Sequence, residues 1–199
     1  MSVWIWHGWT RPAMYLVLVL LLLGFAFDTA SAFTNAYSRR WGKSRGQLAS
    51  SLLRNVAGVP VWVVGVGFAM RAPSPLMFAP SAAATVGGWV LMLAGAVIQA
   101  LAIVVLRGRA ASPSVDDTLA AGGVYAHVRH PIYAGLLLQF PALLLVRPCQ
   151  TVLLTAALGI AWVWLQAWCE ERDLIERMPA YTEYMTRVPR FIPRPGRGR

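Results

Sequence analysis

Long apolar runs separated by short, cation-rich polar segments dominate the chain. A helix needs about 20 mostly apolar residues to cross the hydrocarbon core of a bilayer. Five runs approach that length and predict transmembrane helices at residues 13–33, 52–70, 82–106, 132–146 and 151–168. The pattern therefore predicts an all-α integral membrane protein in which residues 1–199 form a single membrane domain.

The last two runs are shorter than the others, and only Arg147-Pro148-Cys149-Gln150 separates them. Such a short connection predicts a tight helical hairpin, whose helices are tilted, sunken or not fully spanning. Residues 1–110 would then hold three N-terminal spans, and residues 111–193 a polar loop, the hairpin and a polar tail. Residues 194–199 are rich in Pro, Gly and Arg and predict a disordered end.

The composition supports a membrane protein. Hydrophobic residues make up 57% of the chain and charged residues 13%, whereas charged residues are about 25% of an ordinary soluble domain. These values exclude a disordered chain and argue against a soluble globule. In a soluble protein the net charge of +10 would suggest a nucleic-acid partner, but the positions of the cations give a simpler explanation.

Most of the cations lie on one side of the predicted spans. Fifteen of the 18 Lys and Arg residues fall in the loop after the first span with its continuation to Arg54, in the loop from Arg107 to Arg129, or in the tail from Arg172 onward. The other side holds only Arg11, Arg71 and Arg147. Because cytoplasmic loops carry the excess of Lys and Arg, this split predicts an outside N-terminus and a cytoplasmic C-terminus. It also accounts for the net charge without nucleic acid.

Several residues near or inside the spans have structural interpretations. Trp4, Trp6 and Trp9 are typical of an interfacial aromatic belt. Glycines in the second and third spans predict close helix packing: Gly58, Gly65, Gly67, Gly87, Gly88 and Gly95. Asp28 is the only acid well inside a predicted span, so it is either a functional residue or, as we favour, the partner of a cation such as Arg54.

The cysteines predict no redox or metal chemistry. Cys149 and Cys169 are 20 residues apart, which is about 30 Å along a single helix. A disulfide needs Cα atoms within roughly 7 Å, so we expect none between them. The chain contains no CxxC and no HExxH motif, and we predict no metal site.

Polar residues that could carry chemistry are concentrated in two segments. The first runs from Gly122 to Gly135 and contains Tyr125, His127, Arg129, His130, Pro131 and Tyr133. The second starts at the predicted end of the fifth span and contains Glu170, Glu171, Tyr181, Tyr184 and Arg187. The hairpin would bring both segments to the same, cytoplasmic side, so we expect them to form one composite site.

Each segment offers groups that suit a ligand. Pro131 can begin a helix whose free amide groups lie at the membrane surface, and Arg129 and His130 place donors beside it. Tyrosine rings suit a flat base or a cation, and two adjacent glutamates can hold an ammonium group. Each feature alone is also compatible with a loop, a lipid contact or a solvated helix end. Their joint occurrence favours a site.

The two segments together resemble a known family. The run Gly123-x-Tyr125-x-x-x-Arg129-His130-Pro131-x-Tyr133-x-Gly135 is similar to the signature of isoprenylcysteine carboxyl methyltransferases and their relatives, the phospholipid N-methyltransferases. Glu170-Glu171 and the tail Tyr181-x-x-Tyr184-x-x-Arg187-Val188-Pro189 also resemble the end of that family. The resemblance covers about residues 115–193, and the first three spans carry no match.

This resemblance implies an integral membrane enzyme that uses S-adenosylmethionine in a cytoplasmic pocket without a Rossmann fold. The positions expected to contact the cofactor are Tyr125, His127, His130, Pro131, Tyr133, Glu170 and Glu171. Arg129 and Arg187 match arginines that would orient the substrate as catalytic residues, and Tyr181 and Tyr184 would bind it. The family also has more distant relatives that are NADPH-dependent sterol reductases, but nothing in the sequence favours a nicotinamide cofactor.

The resemblance leaves the methyl acceptor open. An isoprenylcysteine-like carboxylate is favoured, since the tail is closest to that branch, and an amine of a phosphatidylethanolamine-type lipid is the alternative. A membrane protein that senses lipids without catalysis is a further alternative. In each case the partners are membrane lipids and a lipophilic or prenylated molecule that enters from the bilayer. Seventeen of the 18 cations are Arg, a bias associated with high-GC bacterial genomes, so we expect a bacterial inner membrane.

Overall fold

The structure is a computed structural model that describes residues 11–194, and these residues form helices and loops without a β-strand. The predicted tryptophan belt and residues 195–199 of the predicted disordered end lie outside this range. The eight α-helices are α1 (Arg11–Ser31), α2 (Thr34–Trp41), α3 (Lys43–Leu52), α4 (Val59–Ala69), α5 (Ala82–Leu106), α6 (Pro131–Val146), α7 (Gln150–Arg177) and α8 (Ala180–Arg187). A π-helical turn, Leu53–Gly58, joins α3 to α4.

Four helical segments are long and apolar enough to cross a membrane: Pro12–Ser31, Lys43–Ala69, Ala82–Arg109 and Gln150–Arg177. Helix α6 is also apolar, but it has only 16 residues, fewer than the roughly 20 that a full crossing requires. The described chain is therefore all-helical with four candidate membrane-spanning helices and one shorter apolar helix.

Two predicted boundaries are wrong. Helix α7 has 28 residues and continues nine residues past the predicted end at residue 168. The apolar run stops there because acidic residues follow, but the helix continues since those acids are paired inside the protein. Residues 34–51, predicted as part of a cation-rich loop, form α2 and most of α3.

The sharp corner between α2 and α3 depends on two glycines. Gly42 has a positive φ of 86°, a conformation that glycine adopts without strain, and its N–H donates to the Ser38 carbonyl at 2.9 Å. One turn later, a Cβ on Gly46 would lie 2.6 Å from the Cα of Ser38. The two short helices therefore pack in close contact and form a fixed unit.

The membrane helices pack as antiparallel neighbours, with glycine at the closest contacts. A Cβ on Gly58 would lie 2.8 Å from the backbone nitrogen of Asp28 on α1, and one on Gly95 would lie 2.6 Å from the Gly135 carbonyl oxygen of α6. Close packing is confirmed in the same way for Gly65 against α1 and for Gly88 against α6. The prediction is wrong for Gly67 and Gly87, which face no other helix among the described residues.

Helix α7 packs against both helix pairs and carries much of the core. Phe25 of α1 stacks on Trp162 of α7 with ring centroids 4.5 Å apart, and Phe140 of α6 fills the space beside Gly159. Both Phe140 and Val163 are almost completely buried. Cys149 and Cys169 are buried free thiols at the start and in the second half of α7.

One end of the bundle is closed by the connection between α6 and α7. The Arg147 guanidinium donates to the carbonyl of Met70 and, at 2.7 Å, to that of Ala72. The backbone of Met77 donates to the Pro148 carbonyl at 2.8 Å. These bonds tie the α4–α5 loop to the α6–α7 connection, so the site described below lies at the opposite end.

Candidate functional site

A cavity of about 560 Å³ lies between the α1–α4 pair and the α5–α6 pair, with α7 behind it. Its wall includes charged side chains, among them Asp28, Arg54, Arg129 and Glu170. It also includes apolar side chains, among them Trp62, Ile103, Leu136 and Trp162. The cavity therefore suits a ligand with one charged and one apolar part.

The antiparallel contact of α6 with α7 brings the two polar sequence segments together. Arg147–Cys149 join these helices at one end, so the start of α6 meets the second half of α7 at the other. Tyr133 and Glu170, 37 residues apart in sequence, are joined by a hydrogen bond of 2.6 Å from the phenol to the carboxylate. His130 lies against both Glu170 and Glu171.

Glu171 is buried and contacts three basic side chains. Its Oε1 accepts from Nε and Nη2 of Arg129 at 3.1 and 2.9 Å and lies 3.0 Å from Nε2 of His130. The guanidinium of Arg190 also donates to both carboxylate oxygens. The residue is only 3% exposed and is not part of the cavity wall. Glu171 therefore holds protein groups together.

Glu170 points into the cavity instead. Its Oε1 accepts from the Tyr133 hydroxyl and from Arg54 Nη2, both at 2.6 Å, and from Gln166 at 3.3 Å. The side chain of Glu170 is 20% exposed and lines the cavity. The two adjacent glutamates thus have different environments, although neither lies at the end of a helix as the sequence predicted.

The N-terminal spans contribute a charged pair to the same wall. Nε of Arg54 lies 3.6 Å from Asp28 Oδ1, which confirms the predicted pairing. Trp62 donates to the other oxygen of Asp28 at 3.3 Å. Asp28 stood out in the sequence as an acid inside an apolar run. The position of Arg54 at the cavity had no such signal, because it depends on the π-helical turn and on contacts with α7.

Arg129 fastens the C-terminal tail to the loop before α6. Besides Glu171, its guanidinium donates to the carbonyls of Met185 at 3.1 Å and Val188 at 2.7 Å. Its backbone N–H donates to the Pro189 carbonyl, and that of His130 to the Arg190 carbonyl. The donors of Arg129 are therefore largely used by the protein. Arg190, which had no signal in the sequence, also holds the tail in place through its bonds to Glu171.

Three of the four tyrosines of the two segments, Tyr125, Tyr181 and Tyr184, lie together near the cavity. The hydroxyl of Tyr184 donates to the Tyr125 carbonyl at 2.6 Å, and burial raises the pKa of Tyr184 to about 12. Burial, and then the charge of Glu171, raises the pKa of Tyr181 further. The buried Tyr181 hydroxyl lines the cavity and has no hydrogen-bond partner among the described residues. These phenols are therefore neutral and can act as donors.

Four predicted site residues lie away from the cavity wall: Glu171, described above, and His127, Pro131 and Arg187. His127 is exposed, and Pro131 is buried at the first turn of α6. The Arg187 side chain is 67% exposed and pairs with Glu183, one turn earlier on α8, at 3.3 Å. Of the predicted residues, the structure brings Tyr125, Arg129, His130, Tyr133, Glu170, Tyr181 and Tyr184 to the cavity.

The loop of residues 111–117, which we call the polar strap, forms part of the cavity wall. Helix α3 bonds this loop, because Lys43 contacts Asp116 at 2.6 Å and Gln47 donates to Ser112 Oγ at 3.0 Å. Asn55 of the π-helical turn donates to the Ala111 carbonyl at 2.6 Å. Ala111, Pro113 and Asp117 of the strap line the cavity.

Comparison of the chain with known protein families, with characterised proteins and with solved structures finds no match. Among residues 11–194, no group of three or more His, Cys, Asp or Glu side chains is placed to hold a metal ion.

Proposed function

We propose that the protein is an integral membrane methyltransferase that uses S-adenosylmethionine and acts on a lipophilic acceptor. The observation that carries the proposal is the convergence of two distant polar segments, joined by the Tyr133–Glu170 hydrogen bond, on one wall of a 560 Å³ cavity. The resemblance of these segments to methyltransferase motifs supplies the chemistry. The apolar side chains in the cavity wall support an acceptor with a hydrophobic part.

In this proposal the cofactor lies beside the charged residues of the cavity wall and supplies an electrophilic methyl group. Glu170 binds the ammonium group, because it is the motif glutamate that faces the cavity. The hydroxyl of Tyr181 donates to a polar atom of the ligand, since it is buried without a protein partner among the described residues. Methyl transfer is an in-line displacement, so the chain supplies mainly alignment and exclusion of water.

The favoured acceptor is a carboxylate of the isoprenylcysteine type. A carboxylate is ionised at neutral pH and needs no general base. Arg54 and Arg129 both line the cavity, and we assign the orienting role to Arg54 because its guanidinium lies beside Glu170 on the wall. The apolar part of the acceptor would enter from the bilayer between α4 and α5, whose residues Trp62 and Ile103 line the cavity.

An amine acceptor is the second candidate, and the two acidic groups around Arg54 favour it. Asp28 and Glu170 both contact the single guanidinium of Arg54, so this cluster suits an added cation. A protonated amine must lose a proton before transfer, and His130 or Glu170 could accept it. The rate with an amine would rise between about pH 7 and 9, whereas that with a carboxylate would stay nearly constant.

Binding of the demethylated cofactor product tests the proposal most directly. Calorimetry on the detergent-purified protein should show micromolar binding that weakens at least about tenfold in Glu170→Gln, equivalent to about 1.4 kcal/mol. Glu183→Gln is the matched control, because it makes the same change of side chain at an exposed position on α8. Absence of binding by folded protein, or equal binding by Glu170→Gln, would overturn the proposal.

A substrate panel then identifies the acceptor class. Methyl transfer to a farnesylated cysteine analogue would identify a carboxylate acceptor, and transfer to phosphatidylethanolamine an amine acceptor. The pH dependence of the rate independently distinguishes a carboxylate acceptor from an amine acceptor. Binding of cofactor with no transfer to either class would favour a lipid-sensing role.

A further inference from the structure

The corner between α2 and α3 presents a dense group of exposed cations. Arg39, Arg40, Lys43 and Arg45 lie within seven residues of sequence, and all four are exposed. The side chains of Arg39 and Lys43 are 70% and 68% exposed. We call residues 33–48 the basic corner.

Nearby acids neutralise this charge only in part. Glu176 lies 3.8 Å from Arg39, and Asp116 lies 2.6 Å from Lys43. Exposed single pairs of this kind contribute little, about 0–1 kcal/mol, and yield readily to a competing anion. Arg40 and Arg45 have no acidic partner among the described residues. The basic corner therefore keeps a net positive charge.

Exposed apolar and aromatic side chains lie among the cations. Trp41 is 47% exposed, Leu48 57% and Phe33 38%. The corner also directly follows the first candidate membrane span, which ends at Ser31, and includes the start of the second at Lys43. Its position is therefore the level of the lipid headgroups, where tryptophan and arginine are both favourable.

The basic corner is held in a fixed shape by bonds on its inner side. The hydroxyl of Tyr37 donates to the Ala30 carbonyl at 2.9 Å, and the backbone N–H of Asn35 donates to Asp173 at 2.8 Å. Thr34 donates to Ser50 at 2.9 Å across the corner. Binding at the outer side would consequently require little ordering of the chain.

We propose that the basic corner binds the phosphate of an anionic phospholipid headgroup, with Arg40 and Arg45 as the main contacts. Charge complementarity and the exposed Trp41 and Leu48 at membrane level favour a lipid over a soluble phosphate or a nucleic acid. Arg40 and Arg45 do not line the cavity, and the proposal does not depend on the proposed methyltransferase activity.

Native mass spectrometry of the detergent-purified full chain tests this proposal. The probes are phosphatidylglycerol and phosphatidylcholine with identical acyl chains, added in equal amounts. We expect retention of phosphatidylglycerol over phosphatidylcholine, and a loss of about tenfold in that preference in Arg40→Gln/Arg45→Gln. Arg40→Lys/Arg45→Lys should keep most of the preference, and millimolar inorganic phosphate should not compete.

The control is Arg172→Gln/Arg194→Gln, which removes the same charge from exposed positions at the same end of the molecule but outside the corner. It should change the preference less than twofold. The proposal is overturned if the wild type shows no preference, if the control loses as much as the corner variant, or if inorganic phosphate displaces the lipid.

Discussion

Two glutamates that are adjacent in sequence have separate roles in the structure. Glu171 forms ion pairs with Arg129 and Arg190 and lies beside His130, and it is almost completely buried. Glu170 shares the cavity wall with Arg54 and Tyr133. A helix turns by about 100° per residue, so neighbouring side chains necessarily face different surroundings. One residue therefore stabilises the tail, and the other is available to a ligand.

Matched substitutions separate these roles. Glu171→Gln should lower the free energy of unfolding by about 3 kcal/mol, because it leaves the buried Arg129 without its counter-charge. Glu170→Gln should cost clearly less, since Arg54 keeps Asp28 as a partner, yet it should weaken binding of the demethylated cofactor product. Unfolding by SDS titration and calorimetric binding measure the two effects. Equal losses of stability in both variants would contradict the structural role of Glu171.

At this scale the sequence identified the residue types of the site but not their directions. The acid pair, His130 and Tyr133 were recognisable because polar residues at the edge of apolar runs are costly without a function or partner. Arg54 could not be assigned to the site, since its contact with Glu170 joins residues 116 positions apart. Nor could the exposure of Arg187 be predicted, because it depends on which face of α8 packs on the protein.

The helices follow the apolar pattern where they face lipid and depart from it where they face protein. Helix α5 has the bounds that the sequence predicted, and residues such as Val104, Leu93 and Val90 on it are largely exposed. Helix α7 extends well beyond its apolar run, because the polar residues of its second half are paired with other helices. Hydrophobicity alone therefore locates helices in this chain better than it defines their ends.

Helix packing predicts a sharp difference between two glycines of α5. Gly95→Leu should lower the free energy of unfolding by about 2 kcal/mol or more, because its side chain would collide with Gly135 and Gln139 of α6. Gly87→Leu should be neutral or slightly stabilising, since a Cβ there has no neighbour within 4 Å and leucine favours a helix. Unfolding in mixed micelles measures both variants. Similar stabilities would contradict the α5–α6 contact.

The molecule as a whole has two different ends. At one end the Arg147 connection closes the bundle on the α4–α5 loop. At the other lie the cavity, the polar strap, the basic corner and the tail. Most of the described cations belong to this second end, and the excess of cations on cytoplasmic segments then orients it to the cytoplasm. We accordingly propose that the cavity opens on the cytoplasmic side.

Cysteine labelling in intact cells tests this orientation. Met77→Cys, in the exposed α4–α5 loop, should react with a membrane-impermeant maleimide from outside, and Thr182→Cys, exposed on α8, only after permeabilisation. The native Cys149 and Cys169 are buried, so their background reaction should be low. The reverse pattern would contradict a cytoplasmic cavity.

The sequence by itself determined that this chain is helical, that its long apolar runs are suited to a membrane, and that its polar residues are concentrated in two segments. These features depend on the length and composition of contiguous residues, which set the cost of placing them in lipid. Only the tertiary structure decided which glutamate faces the cavity, and that α1 and the π-helical turn contribute Asp28 and Arg54. It also decided that Arg190 holds the tail through Glu171. Those features depend on helix rotation and on contacts between distant residues, where packing rather than local composition sets the lowest free energy.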